Sequence, residues 1–348
     1  MNFRRVPRTL SYFLRLRFVG VLIATIIIGV SGLDKEIQAD ESLANQIWVV
    51  STRDASSCAP SVSQASRIKF WSCHQRSRWQ PSTANHFFDC VNGDLAADPM
   101  PLCIYVHENR VSAEEAWGRA RSIYCQLQQA SQSTNDRFRL VVISWPSDRI
   151  GVRPRPDAQI KAQRSEMHGY YLAWLLDQID ARVPVRMFGH SYGPRMITSA
   201  LHLWGGGTIA GYRLPLSPSS VRPSVRVALL ASALDANWLL PHQHHGRALT
   251  QVEHMMIAYN PRDSVLHWYP RLYGRGGPPA LGYVGMSTSS LGADGYKVQQ
   301  INFSGNVGKT HSWDAYAGNP AVMSQLASYL LAKPNIGSPY SITSINAE

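Results

Sequence analysis

The feature that most constrains this chain is the pentapeptide Gly189-His190-Ser191-Tyr192-Gly193 and what lies on either side of it. Val185–Phe188 reads as the preceding strand, and Pro194–Leu203 as an apolar helix. Proline in a first helical turn is tolerated because its missing N–H has no intrahelical partner there. A strand and a helix this close require a sharp turn. The two glycines remove side chains where the elements crowd and allow backbone angles that a Cβ would penalise. The turn therefore presents the Ser191 side chain clear of the backbone.

The rest of the chain repeats the strand-then-helix alternation, which implies a mainly parallel sheet covered on both faces. Strands are expected at Ile47–Ser51, Leu102–Val106, Phe138–Ser144, Val225–Leu230, Met255–Tyr259 and Val298–Phe303. Ser112 and Glu115 have the spacing of a capping box. The helix that follows carries Ala116, Trp117, Ala120, Ile123, Tyr124 and Leu127 on one face. Met167, Tyr170, Tyr171, Trp174 and Leu175 mark a second amphipathic helix, and Pro320–Leu331 a last one. Ser147–Asp157, with Pro154 and Pro156 among arginines, reads as a surface loop, and the stretch from 52 to about 100 as irregular or antiparallel. The organisation expected is an N-terminal export or anchor segment over 1–39, then 40–100 as part of the same domain as the core. The core spans 101–333 and a tail 334–348.

A serine hydroxyl is a weak nucleophile near neutral pH, so it needs a histidine to take its proton and a carboxylate to orient that histidine. In this architecture both follow the serine, acid first, in loops after later strands. His311 meets the condition, after the last expected strand and before the last helix. His202, His254 and His267 are poorer placed, within the elbow helix, just before a strand, or four residues beyond the best acid. For the carboxylate, Asp263 in Tyr259-Asn260-Pro261-Arg262-Asp263 closely follows a strand, and Asp235 after Val225–Leu230 is the alternative. An oxyanion also needs backbone donors. Tyr192 supplies one N–H, and His107-Glu108-Asn109-Arg110, following Leu102–Val106, is placed to supply another from Glu108 or Asn109.

Residues 102 to 331 resemble the α/β-hydrolase superfamily and, more narrowly, the bacterial group called domain of unknown function 900. The resemblance rests on Ile104-Tyr105-Val106-His107-Glu108-Asn109-Arg110, Val142-Ile143-Ser144-Trp145-Pro146-Ser147 and Phe188-Gly189-His190-Ser191-Tyr192-Gly193. It implies a doubly wound sheet, no cofactor or metal, and Ser191, Asp263 and His311 as nucleophile, acid and base. The expected activity is hydrolysis of an ester or related acyl bond in a small or lipid-like substrate. The group has His-Gly at the oxyanion loop where this chain has His107-Glu108. Either Glu108 points away and leaves the N–H available, or its charge disfavours an oxyanion; the second case would suit a binding protein that keeps the scaffold without turnover.

The N-terminus sets the compartment. Arg4, Arg5, Arg8, Arg15 and Arg17 precede the 16-residue apolar or small-residue run Phe18–Leu33. That is the form of an export signal, shorter than the ~20 residues that span a bilayer comfortably, with cleavage near Ala39 and retention as a membrane anchor both open. Those arginines carry five of the formal +11 charges, so the remainder is only +6, and no basic patch interleaved with aromatics points to nucleic acid. Export would permit disulfides among Cys58, Cys73, Cys90, Cys103 and Cys125. A bridge would join two of the first three, because Cys103 and Cys125 fall in a core strand and an amphipathic helix, where a free thiol packs as a small hydrophobe.

Two further patterns fail as sites. Gly308-Lys309-Thr310 ends like a phosphate-binding loop, but Phe303 stands where that loop needs glycine. His242, His244 and His245 cluster, yet no neighbouring Cys or carboxylate completes a metal-ligand spacing, which suggests a surface loop. Gly205-Gly206-Gly207 ends the elbow helix, and Gly274–Pro279 marks a loop between acid and histidine.

Overall fold

A computed structural model describes residues 47–74, 78–93, 99–131, 137–151, 153–217, 221–272 and 276–332. The basic and apolar N-terminal segment and the tail from 334 lie outside the described residues. Among the described residues no helix is long and apolar enough to cross a membrane.

Among the described residues nine strands form one sheet: β1 (Ile47–Ser51), β2 (Lys69–His74), β3 (Arg78–Ser82), β4 (Leu102–Val106), β5 (Arg139–Ser144), β6 (Val185–His190), β7 (Val225–Leu230), β8 (His254–Tyr259) and β9 (Val298–Asn302). Their spatial order is β3-β2-β1-β5-β4-β6-β7-β8-β9. From β1 through β9 neighbours pair in parallel, and β2 runs antiparallel to both β1 and β3. Every residue of β1, β4, β5, β6 and β7 is buried, so these strands are mostly apolar on both faces rather than alternating, although Arg139, Arg186, His190 and Arg226 are buried among them. Each such Val, Leu or Ile contributes about 1.5–3 kcal/mol by leaving water.

The principal helices are α1 (Ala84–Asn92), α2 (Ala113–Ala130), α3 (Pro154–Leu176), α4 (Tyr192–Trp204) and α5 (Pro320–Leu331). The chain steps one way from β4 to β5 and the other way from β5 to β6. Right-handed crossovers therefore place α2 and α3 on opposite faces of the sheet. The packing agrees, since α2 meets α5 while α3 meets α4. This is the doubly wound α/β arrangement expected from the sequence, and its order reverses around β4. The carboxyl ends of β4 and its neighbours thus open onto the crevice where such sheets hold ligands. Helix α2 starts as its sequence directs: Ser112 Oγ accepts from Glu115 N–H at 3.2 Å, and Glu115 Oε2 accepts from Ser112 N–H at 2.6 Å.

Several expectations need correction. The loop expected over Ser147–Asp157 gives way to helix at Pro154, because both prolines fall in the first turn, where they start a helix rather than break one. Helix α3 is not amphipathic over its second half: Met167 through Ala173 are all buried. Helix α4 covers one side so closely that a Cβ at Gly169 would meet Ser199 Oγ at 2.6 Å. The segment after β1 covers another, with Thr52 and Ser57 hydroxyls each 2.8 Å from the His168 ring. The stretch expected to be irregular or antiparallel contains the antiparallel strands β2 and β3, in line with that expectation, and also α1. No disulfide joins Cys58, Cys73 and Cys90, which lie in an exposed loop, a buried strand and a half-buried helix position. Cys103 is buried, whereas Cys125 faces outward.

Candidate active site

Ser191 caps α4 with φ 57° and ψ −105°, a conformation in which a non-glycine residue is strained. The surrounding backbone holds it there. Ser191 N–H donates to Leu230 O at 3.0 Å and Ser191 O accepts from Ala233 N–H at 3.0 Å, so the end of β7 fixes the turn from both sides. The glycines of the motif follow from contact distances: a Cβ at Gly193 would lie 2.0 Å from Val106 O, and one at Gly189 would lie 2.9 Å from the Gly193 carbonyl carbon.

His311 reaches this serine from the loop after β9. Its Nε2 is 2.9 Å from Ser191 Oγ and its Nδ1 is 2.7 Å from Asp263 Oδ2. Asp263 is fully buried, and its other oxygen accepts from Val265 N–H and Leu266 N–H, both at 2.9 Å. An ionised carboxylate only accepts, so the proton of the neutral imidazole sits on Nδ1 and Nε2 faces the hydroxyl with a lone pair. The structure thus brings Ser191, Asp263 and His311 together at the carboxyl ends of β6, β8 and β9. Asp235, the other candidate acid, instead accepts from Tyr269 Oη–H at 2.7 Å, and His202, His254 and His267 are not in the array.

Asn260, which no spacing in the sequence singles out, staples the acid loop to the histidine loop. Its Nδ2 donates to Gly308 O at 2.9 Å, while Ser264 N–H donates to Lys309 O at 3.0 Å. Gly308, at φ 66°, makes the turn that carries the chain toward His311. Lys309 is absent from the cavity lining described below. His190 is a second residue that no spacing singles out. It is buried against His311, Trp313 and Tyr316, with ring centroids 5.1, 5.9 and 5.3 Å away. Burial first, and then the neighbouring His311, hold its pKa well below the ordinary value, so it packs as a neutral ring.

The loop after β4 is built around His107. Trp145 N–H donates to its Nε2 at 3.3 Å, its Nδ1 donates to Glu108 O at 2.8 Å, and its own carbonyl accepts from Trp145 Nε1 at 2.9 Å. Burial lowers the His107 pKa to about 4, which keeps that bonding pattern through the neutral range. Because the Glu108–Asn109 peptide is planar and trans, anchoring Glu108 O on His107 turns the Asn109 N–H the opposite way. The Glu108 side chain bends toward α2. Arg119 Nη1 donates to its Oε1 at 2.5 Å and Tyr105 Oη–H lies 3.4 Å from Oε2.

A cavity of about 560 Å³ opens beside Ser191. Glu108, Asn109, Tyr192, His311 and Trp313 line it together with the apolar Leu266, Trp268, Tyr269 and Leu272, and Arg110, Arg155 and Arg271 stand at it as well. Arg271 lies over the Trp268 ring at 4.1 Å. The histidine cluster set aside above is elsewhere and is not simply a surface loop. His244 is exposed, but His245 is fully buried, and the carboxylate of Glu166, distant in sequence, lies beside both.

No known family model and no curated protein sequence matches the chain. Among solved structures it is similar to acyl-protein thioesterase 2 of Zea mays, with 14% identity over 66% of this chain and 92% of that one and a TM-score of 0.39. Esterase B of Lactobacillus rhamnosis, inhibited in that crystal, has 12% identity over 89% of this chain and 96% of that one, with a TM-score of 0.37. A cutinase-like protein of Cryptococcus sp. has 13% identity over 67% and 94%, with a TM-score of 0.34. Likeness at this level is silent on chemistry.

Proposed function

We propose that this protein is an exported serine hydrolase that cleaves an ester or related acyl bond through an acyl-enzyme. One observation carries the reading: a strained serine at a strand-to-helix turn has its Oγ 2.9 Å from an imidazole whose other nitrogen is held at 2.7 Å by a fully buried carboxylate. His311 takes the Ser191 proton as Oγ attacks the acyl carbon, and Asp263 stabilises the imidazolium that forms. The same proton passes to the leaving oxygen. Water, deprotonated by His311, then attacks the acyl-enzyme, and Ser191 leaves with the proton that His311 returns.

The negative oxygen of the intermediate faces Tyr192 N–H at the start of α4, where the helix dipole adds to the donor. The peptide orientation set by His107 supports Asn109 N–H as the second donor. The ion pair between Glu108 and Arg119 supports turnover over a silent scaffold, because it offsets the charge that would otherwise oppose an oxyanion. The apolar lining of Leu266, Trp268 and Leu272 suits the hydrocarbon part of a small or lipid-like acyl group. The resemblance to domain of unknown function 900 rests on the three segments quoted above, and the basic and apolar N-terminal run supports export, with attachment to the membrane if that run is retained. A panel of p-nitrophenyl esters of increasing chain length tests the reading. Turnover is expected for at least one ester and is lost in His311→Ala; no turnover across the panel would refute it.

A further inference from the structure

We infer that Glu166, His244 and His245 form a binding site for one divalent transition-metal ion, zinc being the best match, at a place separate from Ser191. None of the three lines the cavity beside the serine. Glu166 belongs to α3, and the two histidines to the loop between β7 and β8. One ligand atom from each lies within 4.8 Å of the others. Around a tetrahedral zinc ion with ~2.0 Å bonds, such atoms stand roughly 3.3 Å apart. The Glu166–His244 edge, now 2.8 Å, must open slightly, and the edges to His245 must settle at roughly 3.3 Å. Because His244 is exposed, its ring can make that movement and leaves the site open to solvent.

The tautomer of His245 is the observation that points to a ligand. Thr198 Oγ1 lies 2.9 Å from Pro194 O, to which its hydroxyl donates, and 2.8 Å from His245 Nδ1. The hydroxyl proton is spent on the carbonyl, so the imidazole must donate from Nδ1, which leaves Nε2 unprotonated. That Nε2 is buried and has no hydrogen-bond partner. A buried acceptor left unsatisfied costs roughly 1–3 kcal/mol, a reason for it to be filled. Holding one ring nitrogen through an outer hydrogen bond while the other offers a lone pair is how proteins prepare a histidine to bind a metal.

Glu166 is oriented in the same way. Its Oε1 accepts from Arg195 Nη1 at 2.7 Å, which turns Oε2 toward the imidazoles, 2.8 Å from His244 Nε2. The metal would take the place of the proton that His244 now shares with this oxygen. Two neutral imidazoles and one carboxylate make a nitrogen-rich set that suits zinc and disfavours magnesium or calcium, which require oxygen ligands. A fourth position remains for water. The ion would clip α3, whose N-terminal end borders the cavity at Pro154, Arg155 and Ala158, to the connection that also brings Ala233 to the cavity lining.

The test uses the whole chain, with exposed thiols alkylated so that cysteine cannot bind the probe, stripped of metal and dialysed against micromolar zinc chloride. One zinc per chain by elemental analysis and a raised Tm are expected. His244→Ala, a surface change that leaves the fold intact, should weaken zinc binding on the order of 100-fold. His242→Ala should bind as wild type. Cobalt in place of zinc should give the visible absorption of a tetrahedral site. No retained zinc in the wild type, or a His244→Ala variant that binds zinc as the wild type does, would overturn the assignment.

Discussion

The Glu108 carboxylate and the Arg119 guanidinium meet at 2.5 Å, joining the loop after β4 to α2 beside the nucleophile. Both side chains are largely shielded from water, so the pair is screened less than a surface pair. Removing the guanidinium alone should leave a negative charge facing a developing oxyanion. Arg119→Met is therefore expected to lower kcat about tenfold, equivalent to ~1.4 kcal/mol of transition-state stabilisation. Adding Glu108→Gln should restore most of the loss, because both charges are then gone. Steady-state kinetics on the two single variants and the double variant measures this coupling directly.

Asp263 and Asp235 should differ sharply. Asp263→Asn keeps the shape but offers His311 Nδ1 an amide, which favours the wrong tautomer, and kcat should fall on the order of 10⁴-fold. Asp235→Asn alters only the acceptor for Tyr269 Oη–H. It should leave kcat within about tenfold of wild type and cost roughly 1 kcal/mol of stability. Kinetics and urea unfolding on both variants separate the two roles.

Stability should fall in mild acid. Burial holds His107 at about 4 and His168 at about 3, and also lowers His190 well below its ordinary value. In the unfolded chain the same rings titrate near ~6.5. Between these limits the unfolded state binds protons that the folded state refuses, so stability is fully present above about pH 6.5 and is lost as pH drops toward 4. The slope is about 1.4 kcal/mol per pH unit for each ring. Urea midpoints at pH 7.5, 6 and 5 should decline in that order, and a midpoint that rises on acidification would contradict the burial of neutral histidines.

Much of the fold is legible in the residues because the buried strands have both faces covered and so are mostly apolar, interrupted in β5, β6 and β7 by an arginine. β4 and β7 match their expected bounds, and β6 runs two residues further because Gly189 and His190 continue the pairing with β7. The start of α3 was obscured by prolines whose meaning depends on the helical position they occupy. The array of Ser191, Asp263 and His311 could be anticipated because chain order and strand ends restrict where an acid and a base can stand. The sequence alone offered no preference strong enough to discard Asp235. Arg119, Asn260 and Glu166 were invisible for a different reason. Each acts through a partner remote in the chain or across a turn, and spacing along one element carries no trace of such contacts.

Mass mapping of a fluorophosphonate adduct tests the central claim most directly. The reagent should add one equivalent to the wild-type chain, located on the peptide that contains Ser191, and none to Ser191→Ala. An adduct on another residue, or labelling that persists in Ser191→Ala, would contradict the assignment of Ser191 as the group that His311 activates.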